Sequence, residues 1–152
     1  MSNSDMRDDA LQRLDGRVAV VTGAGGGLGT AIVERLAALG ASIVLLDLKE
    51  ALVLPLAVRL EAAGTPCLAV ACDIADDASV GAAAARVDER FGRCDILINN
   101  AGILPPPSSL LSMSLEVWDR TLAIDLRGVL LGTRHFGQRM LARQSGSIVN
   151  IA

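Results

Sequence analysis

The sequence predicts an α/β fold built on a doubly wound, parallel sheet, and three observations carry that prediction. Short runs rich in Val, Ile and Leu alternate with longer stretches whose apolar residues recur at helical spacing. The short runs are almost continuously apolar, which is typical of strands covered on both faces of a parallel sheet. At 152 residues with 51% apolar content, the chain has the length and the apolar material of one such domain.

Five strands are predicted, in the segments Arg17–Thr22, Ser42–Leu46, Cys67–Ala71, Asp95–Asn99 and Ser147–Ala152. Crossover connections of a Rossmann-like fold place such strands in the order 3-2-1-4-5. We therefore expect the first two helices on one face of the sheet and the next two on the other. Residues 1–15 are predicted to be a tail, and residues 16–152 to form one Rossmann-like domain.

The four helices are predicted at Leu28–Leu39, Glu50–Ala63, Asp77–Phe91 and Leu115 to about Arg143. A glycine follows each of the first three, where a helix commonly ends on a left-handed residue. Pro55 suits a first helical turn, so the regular part of the second helix is expected to begin near it. Ser114 is predicted to cap the fourth helix.

A glycine-rich loop follows the first strand, with glycines at positions 23, 25, 26, 27 and 29. Glycine lets the backbone approach a pyrophosphate without a Cβ clash, and the free N–H groups that begin the next helix attract the anion. The spacing from Thr22 to Gly29 is TGxxxGxG instead of GxGxxG. A tight turn that binds nothing is the alternative.

Asp47 ends the second strand, eighteen residues after Gly29. A carboxylate at this point accepts hydrogen bonds from a ribose 2′-hydroxyl and repels a 2′-phosphate. The position therefore predicts NAD as the cofactor instead of NADP, with an ordinary solvated loop aspartate as the alternative. A Rossmann-like methyltransferase also uses a glycine loop and an acidic residue after the second strand.

The composition disfavours several other classes of function. The formal net charge is −3 and the basic residues form no cluster, so no nucleic-acid partner is expected. The longest uncharged stretches, Val18–Val33 and Ile96–Leu115, do not predict a membrane span. The polar N-terminus does not predict a secretory signal, so we expect a cytoplasmic location. Three cysteines without CxxC spacing predict reduced thiols and no metal site.

Several motifs occur together in one order: Thr22–Gly29, Asp47, Cys72-Asp73-Ile74, Asp95–Gly102 with its Asn-Asn-Ala-Gly, and Ser147–Ala152. In this combination the chain resembles the short-chain dehydrogenases/reductases. The resemblance implies hydride transfer between a small alcohol or carbonyl substrate and a nicotinamide cofactor. The Asn-Asn-Ala-Gly segment argues against the methyltransferase alternative.

The resemblance also implies a cofactor-binding role for ten residues. They are Gly23, Gly27, Leu28 and Gly29 around the pyrophosphate, Asp47 at the ribose, Asp73 and Ile74 at the adenine, and Asn100, Ala101 and Gly102 beside the ribose and the nicotinamide. For Asn99, two roles are equally open: one in the cofactor site and one in stabilising its own turn.

Two departures from the family pattern bear on activity. Where the family's fourth helix has an asparagine that holds a water of the proton relay, this chain has Asp125, which accepts hydrogen bonds but does not donate them when ionised. The family's catalytic serine and YxxxK motif are not in these residues, which include no tyrosine and one lysine, Lys49. We therefore expect a cofactor-binding part that is inactive alone. The alternative is a truncated module that binds NAD without turnover.

A sheet of only these five strands would leave apolar surface at the fifth strand and along the fourth helix. Such surfaces are typical of association, so we expect a homo-oligomer or self-association.

Overall fold

The computed structural model describes residues 13–152 and contains one five-stranded sheet. Its order is β3-β2-β1-β4-β5, and all four neighbouring pairs are parallel. The strands are β1 (Val18–Thr22), β2 (Ser42–Asp47), β3 (Cys67–Ala71), β4 (Ile96–Asn99) and β5 (Ser147–Asn150). The predicted fold class and strand order are confirmed. Most of the predicted tail, residues 1–12, lies outside the described residues.

The helices are α1 (Gly27–Ala38), α2 (Leu54–Ala62), α3 (Asp77–Phe91), α4 (Leu115–Leu122) and α5 (Gly128–Ala142). The second predicted helix begins with a separate 3-10 turn, Glu50–Leu52, and Pro55 lies in the first turn of α2. The predicted fourth helix is helical from Leu115 to Ala142, but a π-helical turn at Ala123–Arg127, which the sequence did not predict, separates α4 from α5. Ile103 bonds to Asp125 in this turn, and Ile74 packs on Gly128 directly after it.

The sheet lies between two aliphatic layers. Alternate residues of a strand point to opposite faces. Val18 and Val20 of β1 therefore belong to the core under α3 and α5, while Ala19 and Val21 belong to the core under α1 and α2. The predicted distribution of helices over the two faces is confirmed. Phe136 of α5 is fully buried in the first of these cores.

Asp95 stabilises the side of the sheet that is formed by the amino ends of the strands. Its side chain is almost fully buried and accepts hydrogen bonds from the Val18 N–H at 2.9 Å and from Arg93 Nε at 2.7 Å. Arg17 Nη1 lies 3.3 Å from the same carboxylate. Burial alone would raise the pKa of Asp95, but the hydrogen bonds from Arg93 and Val18 outweigh it and leave the pKa below its usual value.

Helices α3 and α5 are joined by side-chain pairs. His135 Nε2 lies 2.9 Å from Asp77 Oδ1, and this hydrogen bond lowers the pKa of Asp77. Arg139 Nε donates to both oxygens of Asp88 at 2.8 Å. Gly81 gives the imidazole room, since a Cβ there would lie 3.2 Å from His135 Cε1. His135 therefore joins two helices.

Apolar side chains are exposed along α4 and β5. No residue of α4 is buried, although Leu115 and Trp118 lie on it, and all four residues of β5 are exposed, including Ile148 and Val149. The sequence predicted exposure at both places. None of the helices found in residues 13–152 is long and apolar enough to cross a membrane.

Candidate functional site

A cleft of about 760 Å³ opens at the carboxyl edge of the sheet. It lies where the strand order reverses between β1 and β4, which is where doubly wound folds bind ligands. All ten residues predicted to bind the cofactor line it: Gly23, Gly27, Leu28, Gly29, Asp47, Asp73, Ile74, Asn100, Ala101 and Gly102. Residues far apart in the sequence thus meet at one cleft.

Gly23 and Gly29 allow the backbone conformation and the close contacts of the glycine-rich loop. Gly23 has a φ of +63°, and a Cβ on it would lie 2.8 Å from the Ala101 Cα. A Cβ on Gly29 would lie 2.1 Å from the Gly23 carbonyl oxygen. Neither position accommodates a side chain, so the close approach of β1, α1 and the loop after β4 depends on both glycines.

Gly27 differs from these two, because a Cβ there would meet no protein atom within 4 Å. The residue begins α1, whose N-cap, Gly26, has no side chain to cap the helix, and no acidic residue lies in the first turn. The first backbone N–H groups of a helix have no intrahelical acceptor, and the helix dipole adds positive potential there. The beginning of α1 is therefore suited to an anion such as a pyrophosphate.

The Asp47 carboxylate is half-buried, and two backbone N–H groups hold it in place. Its Oδ2 accepts from the Gly25 N–H at 2.9 Å, and its Oδ1 accepts from the Leu48 N–H at 2.8 Å. These bonds fix a negative charge against the cleft. Lys49 does not line the cleft.

The chain after β3 contributes Asp73 and Ile74. Asp73 Oδ1 accepts from the Ala75 N–H at 2.9 Å, while the Asp73 N–H donates to Ser79 Oγ at 3.0 Å. The Ile74 side chain packs on Gly128, where a Cβ would lie 2.7 Å from Ile74 Cδ1. The turn is therefore tied both to α3 and to the first residue of α5.

Thr22 joins the two halves of the site, a role that the sequence reasoning missed. Its hydroxyl oxygen accepts from the N–H groups of Asn100 and Ala101, both at 3.0 Å. In return, Asn100 Nδ2 donates to the carbonyl oxygens of Thr22 at 2.9 Å and Gly23 at 3.2 Å. Asn100 thus fixes the glycine loop. The only feature of the sequence that could have indicated this role is the threonine of the TGxxxGxG pattern.

Asn99 does not line the cleft. It is buried, and its Nδ2 donates to Asn150 Oδ1 at 2.8 Å and to Thr133 Oγ1 at 3.3 Å. Gly132 makes room for it, since a Cβ there would lie 2.5 Å from Asn99 Oδ1. The residue therefore joins β4 to β5 and α5 through its side chain.

Asp125 lies in the π turn, beside the cleft and not among the residues that line it. Its Oδ1 accepts from the Ile103 N–H at 2.9 Å and approaches Gly102, where a Cβ would lie 3.4 Å away. Only an acceptor is needed for this bond, so an ionised aspartate suffices. Asp125 therefore holds the chain after β4 against the helix.

The remaining lining residues include Ile103, Arg120, Ile124 and Cys72, none of which was predicted as a site residue. Burial raises the pKa of the Cys72 thiol to about 11, so at neutral pH the nucleophilic thiolate is scarce. No group of three or more metal-ligating side chains occurs within residues 13–152. The polar chemistry of the cleft thus comes from backbone N–H groups, two aspartates, an asparagine and one arginine.

A parallel sheet in this order, with a glycine loop and a helix N-terminus at its carboxyl edge, is the arrangement of dinucleotide-binding folds. A family model described as short chain dehydrogenase matches residues 17–152. The chain belongs to this family. This result also makes the methyltransferase alternative wrong.

Two relatives illustrate the similarity. The chain is 47% identical over 142 residues to D-threitol dehydrogenase of Mycolicibacterium smegmatis, covering 92% of this chain and 54% of the relative. It is 41% identical over 136 residues to cis-4-hydroxycyclohexanecarboxylate dehydrogenase of Sinomonas cyclohexanicum, covering 90% and 54%. The chain therefore spans about half the length of these curated relatives.

Solved structures with either nicotinamide cofactor resemble the chain. A gluconate 5-dehydrogenase from Burkholderia cenocepacia, in complex with NADP and tartrate, has a TM-score of 0.88 and 36% identity, covering 94% of this chain and 56% of its own. An NAD⁺-bound xylitol dehydrogenase has a TM-score of 0.86 and 29% identity, covering 90% and 52%. The structural neighbours thus bind nicotinamide dinucleotides of both kinds.

Proposed function

We propose that the chain binds NAD in the cleft. The main supporting observation is that groups suited to different parts of a dinucleotide line the same cleft. The open first turn of α1 at Gly27 suits the pyrophosphate, and the Asn100–Gly102 segment lies across the strand reversal from Asp47. Backbone N–H groups hold the phosphates, while Asp47 and Asp73 accept hydrogen bonds from the ribose and the adenine.

We infer that NAD is preferred over NADP because the Asp47 carboxylate is fixed by two backbone N–H groups. A 2′-phosphate at the adenosine ribose would meet this charge, and like charges brought together cost several kcal/mol in general. Arg120 is the only basic residue among the described residues that line the cleft. Family membership alone leaves the choice open, since neighbours of both kinds occur.

The wider function we propose is the cofactor-binding part of an oxidoreductase acting on a small alcohol or carbonyl compound. When bound, the nicotinamide supplies a site that accepts or donates a hydride. This chain's residues bind and orient the dinucleotide, and Asp125 positions the Gly102–Ile103 backbone beside it. The relatives named as dehydrogenases support this proposal.

A second candidate is a module that binds NAD without turnover. It is favoured by the composition, because the 152 residues contain no tyrosine to act as a general acid or base beside a lysine. We accordingly propose that these residues alone bind the cofactor and do not turn over substrate. Binding without reduction of the nicotinamide by any alcohol would support this part of the proposal.

We further propose a cytoplasmic location and no nucleic-acid partner. The three cysteines are buried and free in the structure, which suits a reducing compartment. The net charge of −3 gives no basic surface for a phosphate backbone.

The test is a calorimetric titration of the chain with NAD, together with the variant Gly27→Ala. The added methyl group meets no protein atom within 4 Å. Folding should therefore be unaffected, and only a ligand at the beginning of α1 should sense the change. We expect saturable binding by the unaltered chain and a loss of about tenfold or more in Gly27→Ala, because a methyl group blocks the close approach that the pyrophosphate needs.

Gly137→Ala is the matched control. It makes the same substitution in α5, where the new Cβ would lie 3.8 Å from Ile148 Cδ1, an ordinary contact outside the cleft. Its affinity for NAD should equal that of the unaltered chain. Binding that survives Gly27→Ala at full strength would show that the ligand does not lie on α1.

A further inference from the structure

Arg120 is a charged lining residue to which the proposed function gives no role. It lies on α4 with an exposed side chain. Within the described part of the chain its guanidinium has no hydrogen bond and no ion pair. Other arginines differ in this respect, since Arg59 pairs with Glu34 and Arg139 pairs with Asp88. Arg120 is therefore available to a ligand.

The surroundings of Arg120 indicate which part of a ligand it would meet. Arg120, near the end of α4, and Ile124, in the π turn that follows, both line the cleft. Ile124 lines the cleft with Ile74 and Ile103, and all three are apolar. Ile74 directly follows Asp73. The lining of the cleft thus combines apolar side chains, a carboxylate and a guanidinium.

A flat heteroaromatic ring fits that combination better than a phosphate does. The planar guanidinium of arginine stacks on aromatic faces, and isoleucine side chains pack against the opposite face of a ring. A phosphate would have to lie beside two carboxylates, Asp47 and Asp73, which repel it. Of the groups in a nicotinamide dinucleotide, the adenine is the ring expected beside Asp73.

We propose that Arg120 binds the adenine ring of the cofactor, with its guanidinium stacked on one face of the ring and the side chains of Ile74 and Ile124 against the other face. This rests on the proposed function, since it requires a dinucleotide in the cleft. It makes Arg120 an affinity-determining residue for adenine nucleotides in general, with or without a nicotinamide. The 5′-AMP half of the cofactor is therefore a sufficient probe.

The test compares affinities for NAD and for 5′-AMP in calorimetric titrations of Arg120→Ala, Arg120→Lys and the unaltered chain. The strength of cation–π contacts at partly exposed sites predicts that Arg120→Ala loses affinity by about five- to tenfold, and that the loss is equal for NAD and 5′-AMP. Arg120→Lys keeps the charge without the planar face, so it should lose most of the same affinity. Arg86→Ala, an exposed arginine on α3 that does not line the cleft, is the matched control and should bind normally.

Two results would overturn the role of Arg120 and leave the proposed function standing. One is an affinity of Arg120→Ala within about twofold of that of the unaltered chain. The other is full affinity in Arg120→Lys, which would mean attraction by charge instead of stacking. A loss for NADP that spares NAD and 5′-AMP would also overturn it, by indicating a phosphate contact. Failure of the unaltered chain to bind any of the three ligands would instead remove the proposed function itself.

Discussion

We propose that Asp47 decides between the two nicotinamide cofactors. Both of its oxygens accept backbone hydrogen bonds, so the carboxylate is held in place before a ligand arrives. Asp47→Ala removes the repulsion of a 2′-phosphate and the acceptor for the 2′-hydroxyl. We expect the ratio of NAD to NADP affinity to fall by about tenfold or more in binding titrations.

Asp73→Ala is the matched control for that substitution. It removes a second carboxylate from the same cleft, but at the position proposed for the adenine, which both cofactors share. Its effect on NAD and NADP should be equal. A preference that stays the same in Asp47→Ala would contradict the assignment of Asp47.

Asp95 is predicted to contribute stability that depends on pH. Its pKa is lowered in the folded chain, so its contribution is complete above the unfolded value of about 3.9 and is lost as the pH falls through the folded pKa. Asp95→Asn should lower the free energy of unfolding at neutral pH by about 1–3 kcal/mol, because Arg93 loses its charged partner.

Denaturant unfolding at several pH values checks this. The difference between Asp95→Asn and the unaltered chain should be constant above pH of about 5 and should shrink below pH of about 4. A difference that grows on acidification would mean that the sign of the pKa shift is wrong.

At the scale of elements, β1 and β4 are joined at their carboxyl ends by Thr22. Thr22→Val keeps the shape and removes the acceptor of the Asn100 and Ala101 N–H groups. Unsatisfied N–H groups in a buried site predict a loss of about 1–3 kcal/mol in unfolding free energy. NAD affinity should also fall, because the Asn100–Gly102 segment is no longer fixed to the glycine loop.

Thr121→Val provides the comparison for the same chemical change. The hydroxyl of Thr121 donates to the Val117 carbonyl oxygen within an exposed helix. Its loss should alter stability by no more than about 0.5 kcal/mol. Equal effects of the two substitutions in thermal unfolding would remove the special role given to Thr22.

The π turn depends on an acceptor at position 125 and not on a charge. Asp125→Asn retains a carbonyl oxygen for the Ile103 N–H, so stability and NAD affinity should stay close to those of the unaltered chain. Asp125→Ala removes the acceptor and should weaken NAD binding in the same titration. Loss of binding in Asp125→Asn would indicate that the charge itself is required.

The sequence was sufficient for elements that depend on local patterns. Continuous apolar runs predicted all five strands, and the apolar spacing with Gly92 predicted α3 at its observed bounds. The π turn was missed because no local pattern indicates it, and its contacts are with residues distant in sequence: Ile103 bonds to Asp125, and Ile74 packs on Gly128 directly after the turn. The same holds for Thr22 and Arg120, whose positions in the site depend on elements that meet only in the folded chain.

For the whole molecule, we propose self-association through the exposed apolar side chains of α4, the π turn, the first turn of α5 and β5. Leu126 and Leu130 are 65% and 64% exposed. Light scattering should show a mass that rises with concentration. Leu126→Lys with Leu130→Lys should reduce that rise, because charges oppose burial of this surface.

Val58→Lys is the matched control, since Val58 is 59% exposed on α2, which lies on the other face of the sheet. It should leave the association unchanged. A monodisperse monomer at all concentrations would contradict the proposal, and an equal effect of Val58→Lys would show that the association does not depend on the surface that contains Leu126 and Leu130.

We propose that one dinucleotide occupies the cleft from the beginning of α1 to the loop after β4. The most direct measurement is the change in backbone amide NMR shifts of the ¹⁵N-labelled chain on titration with NAD. We predict saturable shifts at Gly27–Gly29, at Asp73 and at Asn100–Gly102, with none at Val18 and Asp95 at the amino ends of the strands. Shifts confined to other residues, or no saturable shifts, would contradict it.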